Sequence, residues 1–339
     1  YFKTEDELRL FTNQFYNNLV PSAVDIYSES SDLIVKSDLM LEMSGQRIIP
    51  DEGNGWNFTA LRDINFYLQY SHNCTEVNAR NRYDGVARFF RAYFYFEKVK
   101  RYGDIPWYDK ALDSDDPELY KARDSREFVM QKMLEDLDFA IANLPKTKNA
   151  YVLTRWTALA LKSRVCLFEG TFRKYHGLED CEKYLNACVS ASETFMNESG
   201  YTLYKSGSTP YRDLFASINL QADEVIFGRD YEASLSVLHN VQNYENSTTM
   251  GRPGMNKKIV NSYLMADGSR FTDKAGYETM TFDQECQNRD PRLAQTIRTP
   301  GYTRIGSTKK EAPNLAYTMT GYHLIKYSMT ANYDEYNKS

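Results

Sequence analysis

Residues 84–107 read DGVARFFRAYFYFEKVKRYGDIPW, a stretch in which aromatic side chains recur at helical spacing. The apolar positions that set this spacing are Val86, Phe89, Phe90, Tyr93 and Phe94. Their period is that of an amphipathic helix with one face in a core. Phe96 and Val99 widen the stripe, so we expect neighbouring helices to cover it on more than one side. Gly103 and Pro106 should end the helix, because neither residue continues it well.

The composition places the chain among globular proteins large enough for two lobes. It has 339 residues, of which 42% are hydrophobic and 26% charged. The net charge of −5 comes without a basic run, which argues against a nucleic-acid partner. No apolar run approaches the roughly 20 residues that span a bilayer. Tyrosine is abundant, with 27 residues, and its flat face and polar tip suit both interfaces and the stacking of sugar rings.

The first 200 residues carry the periodicity and end signals of helices. We predict helices over residues 4–19, 56–70, 79–101, 124–145, 154–168 and 179–197. Thr4 with Glu7, Asp124 or Ser125, and Thr154 are the expected N-terminal caps. Helices of this length suggest a tetratricopeptide-like array, although no clean period of about 34 residues is present. We therefore predict a mainly α fold with a helical scaffold over residues 1–200, interrupted by an inserted loop over residues 22–55.

The pattern of the sequence changes from helical periodicity to short alternating pieces after residue 200. Short alternating or β-branched pieces such as TLYK, EVIFGRDY and YHLIKYS are separated by Gly, Pro, Asn, Ser and Thr. Helical patterns are confined to residues 257–266 and 291–299. We predict a loop-rich lobe over residues 201–339 that contains a few short strands.

Catalytic and metal-binding signatures are absent from the sequence. There is no nucleophile elbow, no phosphate-binding glycine loop, and no histidine with another histidine or a cysteine three or four residues away. The acidic cluster Asp113, Asp115 and Asp116 lacks the glycine and bidentate glutamate of a calcium loop. We therefore expect no catalytic residue, no metal and no cofactor. Carboxylates are plentiful, so a glycosidase pair stays open as an alternative.

Two polar-aromatic loops are the candidate binding surface, residues 46–56 and 239–252. They combine flat aromatic side chains for stacking with amides and guanidinium groups for hydroxyls, as a polyol ligand requires. The predicted ligand-binding residues are Arg47, Asn54, Trp56, Asn243, Tyr244, Asn246 and Arg252. The alternative is that these are ordinary surface loops, and that Trp56 only anchors the start of its helix.

Several motifs, in order along the chain, resemble the SusD/RagB family of Bacteroidota outer-membrane lipoproteins. They are WNFTALRDINFYL, ARFFRAYFYFEKVKRYGDIPW, ARDSREFVMQKMLEDLDFAIANLP, TRWTALALKSRVCLFEGTF, LMADGSRF, NRDPRLAQTI and TGYHLIKY. The resemblance covers nearly the whole chain. It implies a SusD-like α-α superhelix that carries a variable loop-rich part. The family's binding residues lie in variable loops without a fixed motif, so none is transferred to this sequence.

The resemblance also implies a function at the cell surface. Family members capture nutrients, usually glycans, and sit as a lid on a SusC-like TonB-dependent transporter. We expect the extracellular face of the outer membrane as the location, with attachment through an N-terminal lipid anchor that is not present in this sequence. We also expect the loop-rich lobe to lack the family's C-terminal helices.

Three hypotheses for function follow. The first is non-catalytic binding of a glycan or oligosaccharide and its delivery to the transporter. The second is binding of a peptide or protein by the helical scaffold, also for nutrient uptake. The third is a glycoside hydrolase.

Overall fold

A computed structural model describes most of the chain in two compact units. The described residues are 1–21, 32–38, 40–51, 53, 55–239, 241 and 246–327. The first unit comprises Tyr1–Val20, Glu52–Thr202 and Ala222–Gly228. The second unit comprises Pro21–Asp51, Leu203–Gln221 and Arg229–Ser339.

Long helices form most of the first unit. Those of twelve or more residues are, among the described residues, α1 (Glu5–Leu19), α2 (Thr59–Tyr70), α3 (Val77–Tyr102), α4 (Arg126–Asn143), α5 (Arg155–Tyr175) and α6 (Cys181–Glu198). Each packs against the next in sequence, and α1 also packs against α3. The described part of this unit also contains two 3₁₀ turns, Ser71–Asn73 and Pro117–Tyr120.

Side-chain caps start three of these helices where the sequence predicts them. The hydroxyl of Thr4 accepts the Glu7 N–H at 3.3 Å, and Ser125 caps α4 in the same way. Thr154 forms a reciprocal capping box with Thr157 at the start of α5. These bonds satisfy N–H groups that have no partner within their helix.

The helix α2 begins later than predicted. The prediction was residue 56, whereas the helix starts at Thr59 because the Asn57 side chain accepts the Thr59 N–H at 2.8 Å. Trp56 is therefore in the loop before the helix.

The helix α3 is the centre of the first unit, as its sequence predicts. Val86, Phe89, Phe90 and Phe94 are each at most 6% exposed. Burying an aromatic or branched side chain contributes about 1.5–3 kcal/mol each, so this one helix contributes much of the core. The helix ends at Gly103, whose φ of +71° lies in the left-handed region that glycine adopts without strain.

A buried ion pair joins α3 to α4. The Arg91 guanidinium donates from Nε and Nη2 to the two carboxylate oxygens of Asp136 at 2.6 and 2.7 Å. Its Nη1 donates to Oδ1 of Asn65 on α2 at 3.2 Å. Three helices are thus connected through one guanidinium, and all three side chains are buried.

The second unit has little regular structure and its own small core. Two short strands, β1 (Ile34–Val35) and β2 (Gly254–Met255), pair antiparallel, with Ile34 opposite Met255. Where the structure describes the whole element, the short helices and 3₁₀ turns of this unit are Leu41–Ser44, Pro210–Phe215, Ala233–Leu235, Lys257–Ser262, Phe271–Asp273, Tyr277–Thr279, Phe282–Glu285 and Pro291–Ala294. The core side chains are Val241, Met255, Val260, Leu293, Ile297, Tyr322 and Leu324.

The three predicted strand pieces do not form strands in their described parts. Residues 202–205 and 224–231 lie in turns or irregular backbone. Just after them, Glu232 and Val237 form one isolated bridge. His323 and Leu324 make only single bridges, to Gly254 and Ile297. An alternating pattern specifies a strand only when a partner strand lies beside it.

The mainly α, tetratricopeptide-like fold with few strands is confirmed by this architecture and by the structural relatives described below. Residues 21–51 belong to the second unit, although the sequence placed an inserted loop over residues 22–55 within the first lobe. The reason is the pairing of β1 with β2, a contact between segments about 220 residues apart that no local pattern announces.

Candidate ligand-binding site

Trp56 is the predicted ligand-binding residue that lies beside a cavity. Its side chain is 39% exposed. Its ring packs edge-on against Phe58 and Tyr102, with ring centroids 5.3 and 4.9 Å away. The guanidinium carbon of Arg123 lies 5.0 Å from the indole centroid. The indole is therefore held in place by neighbouring side chains while part of its surface remains open to solvent.

A pocket of about 320 Å³ opens beside Trp56 in the first unit. We call it the Trp56 pocket; its lining residues are Trp56, Phe58, Thr59, Leu61, Arg62, Asn65, Tyr108, Lys110, Leu112 and Leu119. Its volume is at the low end of the range for small-molecule sites. The lining combines aromatic surface, apolar side chains and a few polar groups, which is the composition of such sites.

The wall of the pocket is fixed by side-chain bonds to the backbone of residues 108–112. Asn65 donates to the carbonyl oxygens of Tyr108 at 2.8 Å and Lys110 at 3.2 Å. Arg62 donates from Nε to the carbonyl of Leu112 at 3.2 Å. The Asn65 amide is itself held by Arg91, so the buried ion pair of the core supports this wall.

Gly55 and Lys98 fix the backbone of the loop that precedes α2. Gly55 has a φ of +85°, and a Cβ there would lie 3.3 Å from the Tyr102 hydroxyl. The Lys98 ammonium donates to the Gly55 carbonyl oxygen. Burial, and next the positive charge of Arg101, lower the pKa of Lys98 below its ordinary value.

Lys110 differs from the other cation of the lining because carboxylates surround it. Its ammonium lies 3.1 Å from Glu118 and 3.5 Å from Asp116. The hydrogen bond to Glu118 is the largest of the effects that raise the pKa of Lys110. Much of its charge is therefore already compensated.

The remaining predicted residues fall into separate environments. Arg47 is half exposed and pairs with Glu42 at 3.5 Å, in the second unit. Asn54, Asn243 and Tyr244 lie outside the described residues.

Asn246 is part of a buried network in the second unit. Its Oδ1 accepts from Arg298 and Arg304, both at 3.1 Å. Both guanidinium groups also bind Glu311, at 3.1 and 2.9 Å. Burial alone would raise the pKa of the Glu311 carboxyl, but Arg304 and then Arg298 hold it below its ordinary value. Asn246 therefore holds its own segment against Arg298 and Arg304 rather than presenting its amide oxygen to solvent.

Arg252 also bonds to its own chain. Its guanidinium donates to the Leu315 carbonyl, and its backbone oxygen accepts the Met319 N–H at 3.0 Å. Its φ of +50° is unusual for a residue with a side chain. Within the described residues its Nε has no hydrogen-bond partner.

The pocket and the indole have neighbours that the sequence pattern did not predict as ligand-binding residues: Phe58, Arg62, Tyr108, Lys110 and Arg123. Residues 106–120 are the connection between α3 and α4, which a sequence pattern shows only as polar and acidic. The nearest signal was the pair Tyr108 and Lys110, an aromatic and a cation two residues apart. Nothing local indicates that this pair lies against α2.

Metal-ligand sets are not found in the part of the chain that the structure describes, where no three His, Cys, Asp or Glu side chains come together. Within those same residues, none of the helices combines the length and apolar character that crossing a bilayer requires.

The described part of the chain is a helical scaffold with a small polar-aromatic pocket, and comparison with known families says to which family such a chain belongs. Residues 45–155 match a SusD-like family model described as starch-binding associating with outer membrane. Residues 192–339 match the SusD family model. The chain belongs to the SusD/RagB family, which confirms the resemblance seen in its motifs.

Solved structures share the fold over nearly the whole chain. A SusD-like protein from Bacteroides fragilis NCTC 9343 is 21% identical, with a TM-score of 0.76 over 98% of this chain and 70% of that chain. A SusD-like carbohydrate binding protein from the same strain is 17% identical, with a TM-score of 0.72 over 96% and 67%.

One curated relative matches a shorter segment. SusD-like protein P38 of Formosa agariphila is 29% identical over 87 residues, which is 26% of this chain. The matched segment spans 17% of that relative's length.

Proposed function

We propose that the protein binds glycans or oligosaccharides without catalysis, and that the Trp56 pocket is a binding site. The observation that carries the proposal is a half-exposed tryptophan beside a pocket of about 320 Å³. An indole face stacks on the apolar face of a sugar ring, and neighbouring donors bind its hydroxyls. Family membership and a structural relative that is itself a carbohydrate binding protein support this choice of ligand.

The lining of the pocket supports binding rather than hydrolysis. Glycoside hydrolysis ordinarily needs two carboxyl groups about 5–9.5 Å apart across the scissile bond. Among the described residues that line the Trp56 pocket, none is Asp or Glu. Asp116 and Glu118 lie nearby but pair with Lys110.

We further propose delivery of the bound glycan to a SusC-like TonB-dependent transporter. The proposed location is the extracellular face of the outer membrane, with attachment through an N-terminal lipid anchor. The description of one matching family model, which associates its members with the outer membrane, supports this location.

Titration calorimetry with a panel of neutral and charged oligosaccharides tests the proposal. We expect at least one to bind, and Trp56→Ala to weaken its binding about tenfold, because a lost stacking contact is worth about 1–1.5 kcal/mol. Tyr175→Ala is the matched control, since Tyr175 is an exposed aromatic residue at the end of α5. Its affinity should equal that of the unsubstituted chain.

Three outcomes contradict the proposal in different ways. Unchanged affinity in Trp56→Ala would show that the ligand binds at a site other than the Trp56 pocket. Binding of peptides but of no oligosaccharide would favour the peptide-uptake hypothesis. Release of reducing sugar, abolished by one carboxylate substitution, would make the protein a glycoside hydrolase.

A further inference from the structure

The charge of the Trp56 pocket differs from that of the chain. The chain carries a net charge of −5. Among the described residues that line the pocket, Arg62 and Lys110 are cations and none is an anion. Lys110 is already paired with Glu118 and Asp116, so the uncompensated positive charge of the lining is that of Arg62.

Arg62 is the lining cation whose charge is uncompensated. Its Nε donates to the neutral carbonyl of Leu112, and within the described residues it has no carboxylate within ion-pair distance. The side chain is exposed, so its remaining N–H groups face solvent beside the pocket. A guanidinium presents such groups as a planar fork that matches a carboxylate or a sulfate.

Two further cations stand around the indole. The Arg123 guanidinium lies 5.0 Å from the Trp56 ring, and the Lys98 ammonium binds the Gly55 carbonyl beside it. Neither forms an ion pair within the described part of the chain, and their sequence neighbours Asp124 and Glu97 pair with Lys121 and Lys100. Positive charge thus remains near the indole proposed to stack on a sugar.

We infer that the Trp56 pocket selects acidic glycans, in which a carboxylate or sulfate group on the sugar binds Arg62 and faces Arg123 while the ring stacks on Trp56. This inference rests on the proposed function and names the ligand class of the same site. A neutral sugar leaves three cations without a counter-charge, whereas an acidic sugar supplies one.

Two matched pairs of probes test the inference by calorimetry on the full chain. One pair is oligogalacturonate and its neutral methyl ester; the other is a sulfated carrageenan oligosaccharide and its desulfated form. We expect the acidic member of at least one pair to bind more tightly, and the pair that shows the preference tells carboxylate from sulfate. Raising NaCl from about 0.01 to about 1 M, which shortens the Debye length from about 30 to about 3 Å, should remove that preference.

Substitutions of Arg62 test whether this residue causes the preference for acidic sugars. Arg62→Gln should weaken binding of the acidic probe about three- to tenfold more than binding of the neutral probe, since one charge-assisted contact is lost, whereas loss of the bond to Leu112 affects both probes alike. Arg62→Lys keeps the charge and should keep most of the preference. Arg9→Gln, an exposed arginine on α1, is the control and should change neither.

The failure of this inference is distinct from failure of the proposed function. Equal binding of acidic and neutral members, with both weakened by Trp56→Ala, would overturn the acidic selectivity and leave glycan binding standing. An equal loss of both members in Arg62→Gln would show that Arg62 acts on hydroxyls or on the fold, and would also overturn it. Binding of no oligosaccharide in the whole panel would overturn the proposed function itself.

Discussion

Asp136 shows how one buried residue reaches the candidate site. Its carboxylate accepts two short bonds from Arg91, whose third bond holds Asn65 at the wall of the Trp56 pocket. Both members of the ion pair are almost fully buried, with side chains 8% and 3% exposed. Such a pair costs much to desolvate, but removing one partner costs more, because the other charge is left buried and uncompensated.

We therefore expect Asp136→Asn to lower the free energy of unfolding by about 3 kcal/mol, measured by urea denaturation. The matched control is Glu135→Gln, the adjacent residue on α4, whose pair with Lys132 is largely exposed. Glu135→Gln should lower the free energy of unfolding by less than about 1 kcal/mol. Equal effects of the two substitutions would show that the buried pair is no more important than a surface pair.

Two glycines show how closely the helices of the first unit approach one another. A Cβ on Gly170 of α5 would lie 2.7 Å from the Leu185 side chain and 3.1 Å from its backbone nitrogen. A Cβ on Gly85 of α3 would lie 3.4 Å from Leu144, an ordinary contact. Both glycines are within helices, where alanine is intrinsically better by about 1 kcal/mol.

The two alanine substitutions should therefore have opposite effects. Gly170→Ala should lower the free energy of unfolding by about 1–2 kcal/mol, because overpacking outweighs the gain in helix propensity. Gly85→Ala should leave it unchanged or raise it by up to about 1 kcal/mol. Urea midpoints of the two variants measure the difference, and a stabilised Gly170→Ala would show that α6 can move away from α5 at little cost.

At the scale of the whole molecule, buried tyrosines link stability to pH. Burial raises the pKa of Tyr16 and of Tyr93 to about 12. The pKa of Tyr67 and Tyr95 is raised further, also chiefly by burial. In the unfolded chain these phenols ionise near pH 10, so above that pH the folded state binds more protons than the unfolded state. Their contribution is complete below pH 10 and is lost as the pH rises through the folded values.

We predict that the free energy of unfolding falls between pH 10 and pH 12, and that Tyr16→Phe makes the fall less steep by up to about 1.4 kcal/mol per pH unit. The slope is the readout, since loss of the acceptor for the Leu153 N–H changes only the absolute stability. Tyr120→Phe is the control, because that side chain is 86% exposed. If the slope in Tyr16→Phe is unchanged, Tyr16 does not contribute to the fall in stability between pH 10 and pH 12.

Lys326 has the opposite effect from the tyrosines: its contribution to stability is lost as the pH falls. Burial lowers its pKa to about 8, so its ammonium is disfavoured in the folded state. Stability from this residue is present above its ordinary pKa of 10.5 and is lost as the pH falls through 8. The maximum of the stability curve on the alkaline side should therefore lie near pH 10.

The sequence by itself determined the helices and the family. Thr4, Ser125 and Thr154 cap helices through bonds to residues three positions away, and the aromatic stripe of α3 has a helical period. These signals are local, since a cap or a period involves residues within one or two turns. Motifs carried by the same helices indicated the SusD/RagB family, which the family models confirm.

Only the tertiary structure decided where a ligand-binding surface could lie. Trp56 is half exposed, whereas Trp107 and Trp156 are buried, and the sequence does not show how much of the Trp56 ring stays open to solvent. The Trp56 pocket exists because Arg62 meets the backbone of Leu112, fifty residues away. Asn246, in a loop that looked suited to sugars, is instead buried among charged side chains from residues 298–311. Exposure and convergence depend on contacts between distant segments, and a local period cannot specify which segments meet.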